Sequence, residues 1–239
     1  MGKNLIQQRR GKGSQAFTAP SHRYAGEPMY RPLQPTEELL NATVTDIIHS
    51  AGHSAPLVEI KYDDKTESLL VAPEGIKVGD TISHGTKAEL KVGNILPLKD
   101  IPEGTNIYNI ESQPGDGGKF VRSSGVTAKL IAKFTDHIVI ELPSKKQKEF
   151  HPNCMASIGI VAGSGRPEKP FYKAGRHFFL MRTRGKSYPH VRAASMNAVA
   201  HPYGGSSSSR KGRPTIAPKN APPGRKVGMI RPRHTGRNK

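Results

Sequence analysis

The chain has 239 residues, with 37 Lys and Arg against 19 Asp and Glu, a net charge of +18 and an isoelectric point of about 10.1. A cationic excess of that size implies a polyanionic partner and says nothing of the fold. It excludes little by itself, but no apolar run approaches the roughly 18 residues that a membrane helix needs, so a membrane is not the expected partner.

Residues 1–35 carry six basic groups and one acid. Their start, MGKNLIQQRRGKGSQ, has no apolar stretch of the kind a secretion signal requires, and Ile6 stands where a myristoylation motif needs Ser or Thr. The whole segment is rich in Arg, Pro, Gly and Ser, and it cannot bury enough apolar surface to offset its own ordering. An extended basic N-terminal tail is expected.

Residues 36–112 reverse the charge, with six basic and thirteen acidic groups. Short strands are expected at 42–50, 56–62, 68–73, 80–85 and 106–112, with turns at Asp63-Asp64-Lys65-Thr66 and Gly79-Asp80. Five short strands punctuated by Gly and Pro predict a small barrel of the oligonucleotide-binding type.

Residues 113–185 return to a positive balance, thirteen basic against five acidic. Strands are expected at 119–123, 127–134, 137–143, 148–151 and 156–163, and apolar residues alternate on both sides of a hairpin at Thr135-Asp136. This predicts a second small barrel, followed by a short amphipathic helix over 171–184. The only cysteine, Cys154, lies among strand formers and is expected as a small buried apolar residue. One thiol allows no intrachain disulfide and fits a reducing, cytoplasmic setting.

Residues 186–239 hold twelve basic groups and no acid. Repeated Arg/Lys-Gly and Arg/Lys-Pro units keep such a segment thin, so that it could enter between RNA helices where a globular domain cannot.

Enzyme motifs fail on inspection. Arg184-Gly185-Lys186-Ser187 ends like a phosphate-binding loop, but Leu180 occupies the position of the required first glycine. Gly163-Ser164-Gly165 and Gly115-Asp116-Gly117-Gly118 do not complete a dinucleotide pattern, and no nucleophile elbow is present. Of ten histidines, His49 and His53 alone stand four apart, and with no glutamate beside them they do not make a metal motif. His201, in His201-Pro202-Tyr203-Gly204-Gly205, is the candidate titratable group, either as a phosphate- or ribose-binding turn residue or as an acid or base near a reaction centre.

Three stretches carry a family resemblance. The first runs from Ile101-Pro102-Glu103-Gly104-Thr105 through Asn109-Ile110-Glu111 to Pro114-Gly115-Asp116-Gly117-Gly118. The second includes Arg122-Ser123-Ser124-Gly125, Ala128-Lys129-Leu130, Leu142-Pro143-Ser144 and Ala156-Ser157-Ile158-Gly159. The third is Val191-Arg192-Ala193 with Met196-Asn197-Ala198-Val199-Ala200-His201-Pro202-Tyr203-Gly204-Gly205. Over nearly its whole length the chain resembles the archaeal-type form of the universal protein two of the large ribosomal subunit. The resemblance implies a mainly β fold, an oligonucleotide-binding-type barrel followed by an SH3-like barrel, with extended basic N- and C-terminal tails. It also implies a structural role on large-subunit ribosomal RNA, with the C-terminal extension directed toward the peptidyl-transferase region and parts in subunit association and transfer-RNA binding. The family usually has Gly at Ala193, Asp at Ala200 and Gly at Ser206, so an acid that would orient His201 is missing.

The resulting expectation is a non-enzymatic RNA-binding protein of the ribosome. Its partners are large-subunit ribosomal RNA and neighbouring ribosomal proteins, with no cofactor, metal ion or small-molecule substrate. The residues expected on RNA are Arg9, Arg10, Lys12, Arg23, Lys119, Arg122, Lys129, Arg176, Arg182, Arg184, Lys186, Arg192, Asn197, His201, Arg210, Lys211, Arg213, Arg225, Lys226, Arg231 and Arg233. The lack of Trp and an aromatic content of 6% favour recognition of shape and backbone over reading of single strands. An RNA-cleaving or RNA-modifying enzyme that uses His201 is the rival reading; it would need a carboxylate partner that residues 186–239 do not contain. A DNA-compacting protein fits the charge, but the acidic block at 36–112 would repel a wrapped duplex.

Overall fold

From Val58 onward apolar residues alternate with polar ones along β2 (Leu57–Tyr62), so that Val58, Ile60 and Tyr62 are buried while Glu59 and Lys61 are open to solvent. In the computed structural model of the protein, which describes residues 3–32, 38–205 and 214–232, this strand pairs antiparallel with β1 (Leu39–Ile48) and β3 (Glu67–Val71). The β2–β3 turn is the expected one. Lys65 adopts a left-handed φ of 69°, Tyr62 N–H donates to the Thr66 carbonyl at 2.9 Å, and the Asp64 carboxylate accepts from the Thr66 amide and hydroxyl. β4 (Thr81–Gly85) pairs with the other edge of β1. Val44, Val58, Ile60, Tyr62, Leu70 and Ile82 fill the core of this first barrel, which is of the oligonucleotide-binding type.

The second, SH3-like barrel contains β5 (Ile95–Pro97), β6 (Asn106–Tyr108), β7 (Ala128–Lys133), β8 (Ile138–Glu141), β9 (Gln147–Phe150) and β10 (Met155–Ile158). All ten strands form one sheet in the order β3-β2-β1-β4-β5-β10-β6-β7-β8-β9. Ile107, Ile110, Leu130, Ile140, Cys154 and Ala156 pack the second core, each at 0% exposure. Burying an aliphatic side chain of this size contributes roughly 1.5–3 kcal/mol. Cys154 is the buried apolar residue expected, and desolvation pushes its thiol up to about 11.

Three strand expectations need correction. The segment 119–123 is not a strand: Phe120 makes one isolated bridge to Ile110, and Val121 at φ 57° turns the backbone away. The strand expected over 106–112 stops at Tyr108, because Asn109 is left-handed at φ 48°. The strand expected over 156–163 ends at Ile158, followed by Gly159 at φ 118°. β5 was not expected. It has three residues and ends in Pro97, so it lacks a strand pattern of its own; pairing with β4 and β10 creates it. Its neighbours Ile95 and Leu96 point to different cores, the first and second barrel respectively. Ile107 and Ile110, read as part of the first barrel, pack in the second because the sheet places β6 between β10 and β7.

The chain forms two compact units. One is Ser21–Tyr172, which holds both barrels; the other combines Met1–Pro20 with Lys173–Lys239. In the second unit α1 (Ile6–Gly11) and α2 (Ala174–Thr183) are the α-helices among the described residues, and α2 lies within the helix expected over 171–184. Neither helix has a buried residue.

Candidate nucleic-acid interface

The division into two compact units is also a division of charge. Met1–Pro20 with Lys173–Lys239 contains 20 Lys and Arg and no acid, whereas Ser21–Tyr172 contains 17 Lys and Arg and all 19 Asp and Glu. A polyanion gains most from the acid-free unit, where no carboxylate repels it or competes for the cations.

Backbone bonds hold the two ends of the chain together in that unit. Lys3 N–H donates to the Val199 carbonyl at 3.4 Å. Gly185, at φ 60°, lies so close to the backbone of Thr18 and Ala19 that a Cβ would collide with it. Arg9 and Arg10 are exposed on α1 with their guanidinium carbons 6.0 and 5.9 Å from the Phe17 ring centroid, a weak cation–π pairing. Lys12, Arg176, Arg182, Lys186, Arg192, Arg225, Lys226 and Arg231 are exposed in this unit, and Arg184 is half-buried after α2.

The segment 191–205 folds back on itself through its own backbone hydrogen bonds. A 3-10 turn at Ala193–Ser195 leads into a loop in which Asn197 carbonyl oxygen accepts from Ala200 N–H at 2.9 Å and His201 N–H at 3.2 Å. Gly205 N–H closes the loop on the Met196 carbonyl at 3.1 Å. Only glycine fits at 204, since a Cβ there would strike the carbonyl oxygens of Met196 and Asn197. Tyr203 anchors the loop: its ring is 6% exposed, and its hydroxyl is within donating distance of the Pro214 and Val227 carbonyls, at 3.4 and 3.3 Å. Asn197 is left exposed and His201 half-exposed.

His201 is oriented without an acid. Tyr203 N–H donates to His201 Nδ1 at 3.1 Å. With Nδ1 accepting, the neutral ring carries its proton on Nε2, so the other nitrogen is a hydrogen-bond donor. That polarity suits a phosphate or ribose oxygen. It does not suit a general base, which needs a free lone pair aimed at its substrate.

The expected site residues in Ser21–Tyr172 differ in character. Arg23 and Lys129 are exposed, and Lys119 pairs with Glu27 at 3.9 Å. Arg122 is directed into the protein, where Nη1 donates to the Gly118 carbonyl at 3.0 Å and Nη2 to the Pro28 carbonyl at 2.8 Å. The Gly-rich loop 114–118 is built around Glu111, 1% exposed, whose carboxylate accepts from the amides of Gly115, Gly117 and Met155 at 3.2, 3.0 and 2.8 Å. These family residues shape the barrel. Arg210, Lys211, Arg213 and Arg233 lie outside the described residues. Among the described residues no group of three or more His, Cys, Asp or Glu could hold a metal ion, and no helix is long and apolar enough to cross a membrane.

Sequence reading missed Gln15, Phe178 and Tyr188, which line a cleft with Arg182 and Lys186. The available signal was an aromatic pair, Phe178-Phe179, in a stretch without acids.

Two family models match the chain. Residues 2–84 fit the RNA binding N-terminal domain of ribosomal proteins L2, and residues 91–224 fit the C-terminal domain. The large ribosomal subunit protein uL2 of Methanothermobacter thermautotrophicus is 48% identical over 241 residues, covering 100% of both chains. Its counterpart in Methanocaldococcus jannaschii is 48% identical over 239 residues, with 99% of each chain covered. In Haloquadratum walsbyi the identity is 48% over 237 residues, 99% of this chain and 97% of the relative. With both family models matched along the chain and near-half identity from end to end, the chain belongs to the L2 family of large-subunit ribosomal proteins.

Proposed function

We propose that this protein is a structural constituent of the large ribosomal subunit that binds large-subunit ribosomal RNA, in the cytoplasm, beside neighbouring ribosomal proteins. The observation that carries the reading is the concentration of 20 cations and no acid in the unit made from the two ends of the chain. Lys and Arg neutralise phosphates there, and Arg planes stack on bases. The two barrels, which share Ser21–Tyr172, are the folded base, and the basic segments at the two ends of the chain carry the charge.

RNA contact is assigned to Arg9, Arg10, Lys12, Arg176, Arg182, Arg184, Lys186, Arg192, Asn197, His201, Arg225, Lys226 and Arg231, with Arg23, Lys119 and Lys129 as contacts from the barrels. Arg210, Lys211, Arg213 and Arg233, outside the described residues, are proposed as further contacts. Arg122 contributes by positioning residues 28 and 118. The reading extends to a C-terminal segment directed toward the peptidyl-transferase region and to support of subunit association and transfer-RNA binding, and membership of the family is what supports it.

Sedimentation of the tagged protein through a sucrose gradient at high Mg²⁺ tests the assignment. Co-migration with large subunits is the expected result, and migration as a free monomer would overturn it. Binding to large-subunit RNA should also fall on the order of a thousandfold between 50 and 200 mM salt, as for roughly six to ten neutralised phosphates. A nearly flat titration would remove the electrostatic basis of the proposal.

A further inference from the structure

We propose that the cleft beside α2 is a pocket for a single unpaired RNA base, built from Gln15, Phe178, Arg182, Lys186, Ser187 and Tyr188. This rests on the reading that the acid-free unit binds RNA and adds to it a subsite that recognises a base face. The sequence of α2 explains why the pocket exists. Phe178, Phe179, Leu180 and Met181 are consecutive, and at 100° per residue they spread around the helix, so no single face can bury them all. The helix accordingly has no buried residue; Phe178 is 40% exposed and Phe179 63%.

Phe178 meets Phe179 edge-on at 5.6 Å between centroids, which leaves ring surface available for stacking. Tyr188, also lining the cleft, is set by an edge contact to His177 at 4.4 Å. The cleft encloses about 230 Å³, a space on the scale of a nucleobase. Its chemistry is divided as a nucleotide requires. Phe178 and Tyr188 supply flat apolar surface. Gln15 and Ser187 carry both donors and acceptors for a base edge. Arg182 and Lys186 are exposed cations at hand for the adjoining phosphates.

Charge complementarity selects the occupant. An acid-free unit offers a protein helix no carboxylate partners for its own cations, while a nucleic acid supplies a phosphate at each nucleotide. A paired base cannot enter, because its faces are covered by its neighbours in the stack. The pocket therefore takes a base splayed from a loop or bulge, the form in which RNA is most often read by aromatic side chains.

The full-length protein can be titrated with a single-stranded 12-nucleotide oligouridylate carrying one central 2-aminopurine, and with the same strand in a duplex. Stacking predicts quenching of the fluorophore on the single strand alone. Phe178→Ala should weaken single-strand binding roughly five- to hundredfold and abolish the quenching, while the slope of log affinity against log salt stays as it was. Phe178→Tyr should restore both, and Phe178→Leu, apolar but without a π face, should not. Since Phe178 is not buried, circular dichroism of the variants should match the parent. Restoration by Leu, or unchanged quenching in the Ala variant, would overturn the pocket while leaving the steep salt dependence intact. A flat salt response of the unaltered protein would instead defeat the RNA reading on which the pocket rests.

Discussion

The backbone amide of Tyr203 donates to Nδ1 of His201, two residues earlier, at 3.1 Å. This bond fixes Nδ1 of the half-exposed ring as an acceptor and leaves Nε2–H as the donor of the neutral imidazole. Replacement of His201 by Gln keeps a polar donor of similar reach but removes the titratable ring. Ribosomes assembled with the variant should retain peptide-bond formation within about tenfold of the parent in single-turnover assays. General acid or base catalysis is worth 10²–10⁴-fold, so a loss of two or more orders of magnitude with normal transfer-RNA occupancy would contradict the donor role.

The turn that presents His201 should fail if glycine is lost at 204. A Cβ there meets two carbonyl oxygens that already accept hydrogen bonds, from the amides of Ala200, His201 and Gly205. Gly204→Ala is expected to open residues 191–205 to limited proteolysis and leave the Ser21–Tyr172 barrels unaffected in denaturant melts. Equal cleavage rates for parent and variant would show that the loop accommodates the methyl group.

Glu111 is a structural carboxylate at the heart of a glycine-rich loop. Gln at this position turns one acceptor oxygen into a donor and sets it against a backbone N–H. Charge-assisted bonds to a buried group and the unsatisfied amide left behind imply a loss of about 2–4 kcal/mol. The midpoint of urea unfolding should fall accordingly, with little change in slope. A variant as stable as the parent would mean that the loop closes without the carboxylate.

His84 predicts acid sensitivity. It is 1% exposed, neither ring nitrogen has a hydrogen-bond partner among the described residues, and the Tyr30 and Tyr62 rings flank it at 5.9 and 6.5 Å. Burial first, and then the nearby Arg31 cation, lower its pKa from 6.5 to about 4. The unfolded chain therefore binds a proton at a higher pH than the folded one, and stability must fall as pH drops from about 6.5 to 4. The loss over that window is on the order of 3 kcal/mol. His84→Phe should flatten this part of the stability profile. An unchanged profile would assign the acid sensitivity to other groups.

Much of the barrel architecture was legible because its turns carry their own chemistry. Asp64 and Lys65 form the β2–β3 turn with local bonds, and the Thr135-Asp136 hairpin closes with Phe134 N–H on the His137 carbonyl at 2.9 Å. What escaped reading depends on distant partners. β5 is a strand because β4 and β10, the latter some 60 residues later, lie beside it, and Val121 breaks an otherwise regular pattern with one positive φ. In the candidate interface, the cations were evident from composition, but their gathering was not. Lys3 against Val199 and Ala19 against Gly185 are close approaches between ends of the same charge, which no local pattern announces. Arg122 looked like its neighbours in charge and differs only in where its guanidinium points.

The strand order has a consequence for the nascent chain. β10 is inserted between β5 and β6, and Tyr30, near the start, places its hydroxyl within hydrogen-bonding distance of the Asn109 carbonyl at 2.6 Å and of the Ser157 hydroxyl at 2.8 Å. The insertion and the Ser157 contact cannot be completed before residue 158 leaves the ribosome that is making it. The first 20 residues wait longer still, because their companions begin at Lys173. Throughout synthesis the protein thus trails an unpaired cationic leader, and the surface meant for one RNA is assembled last.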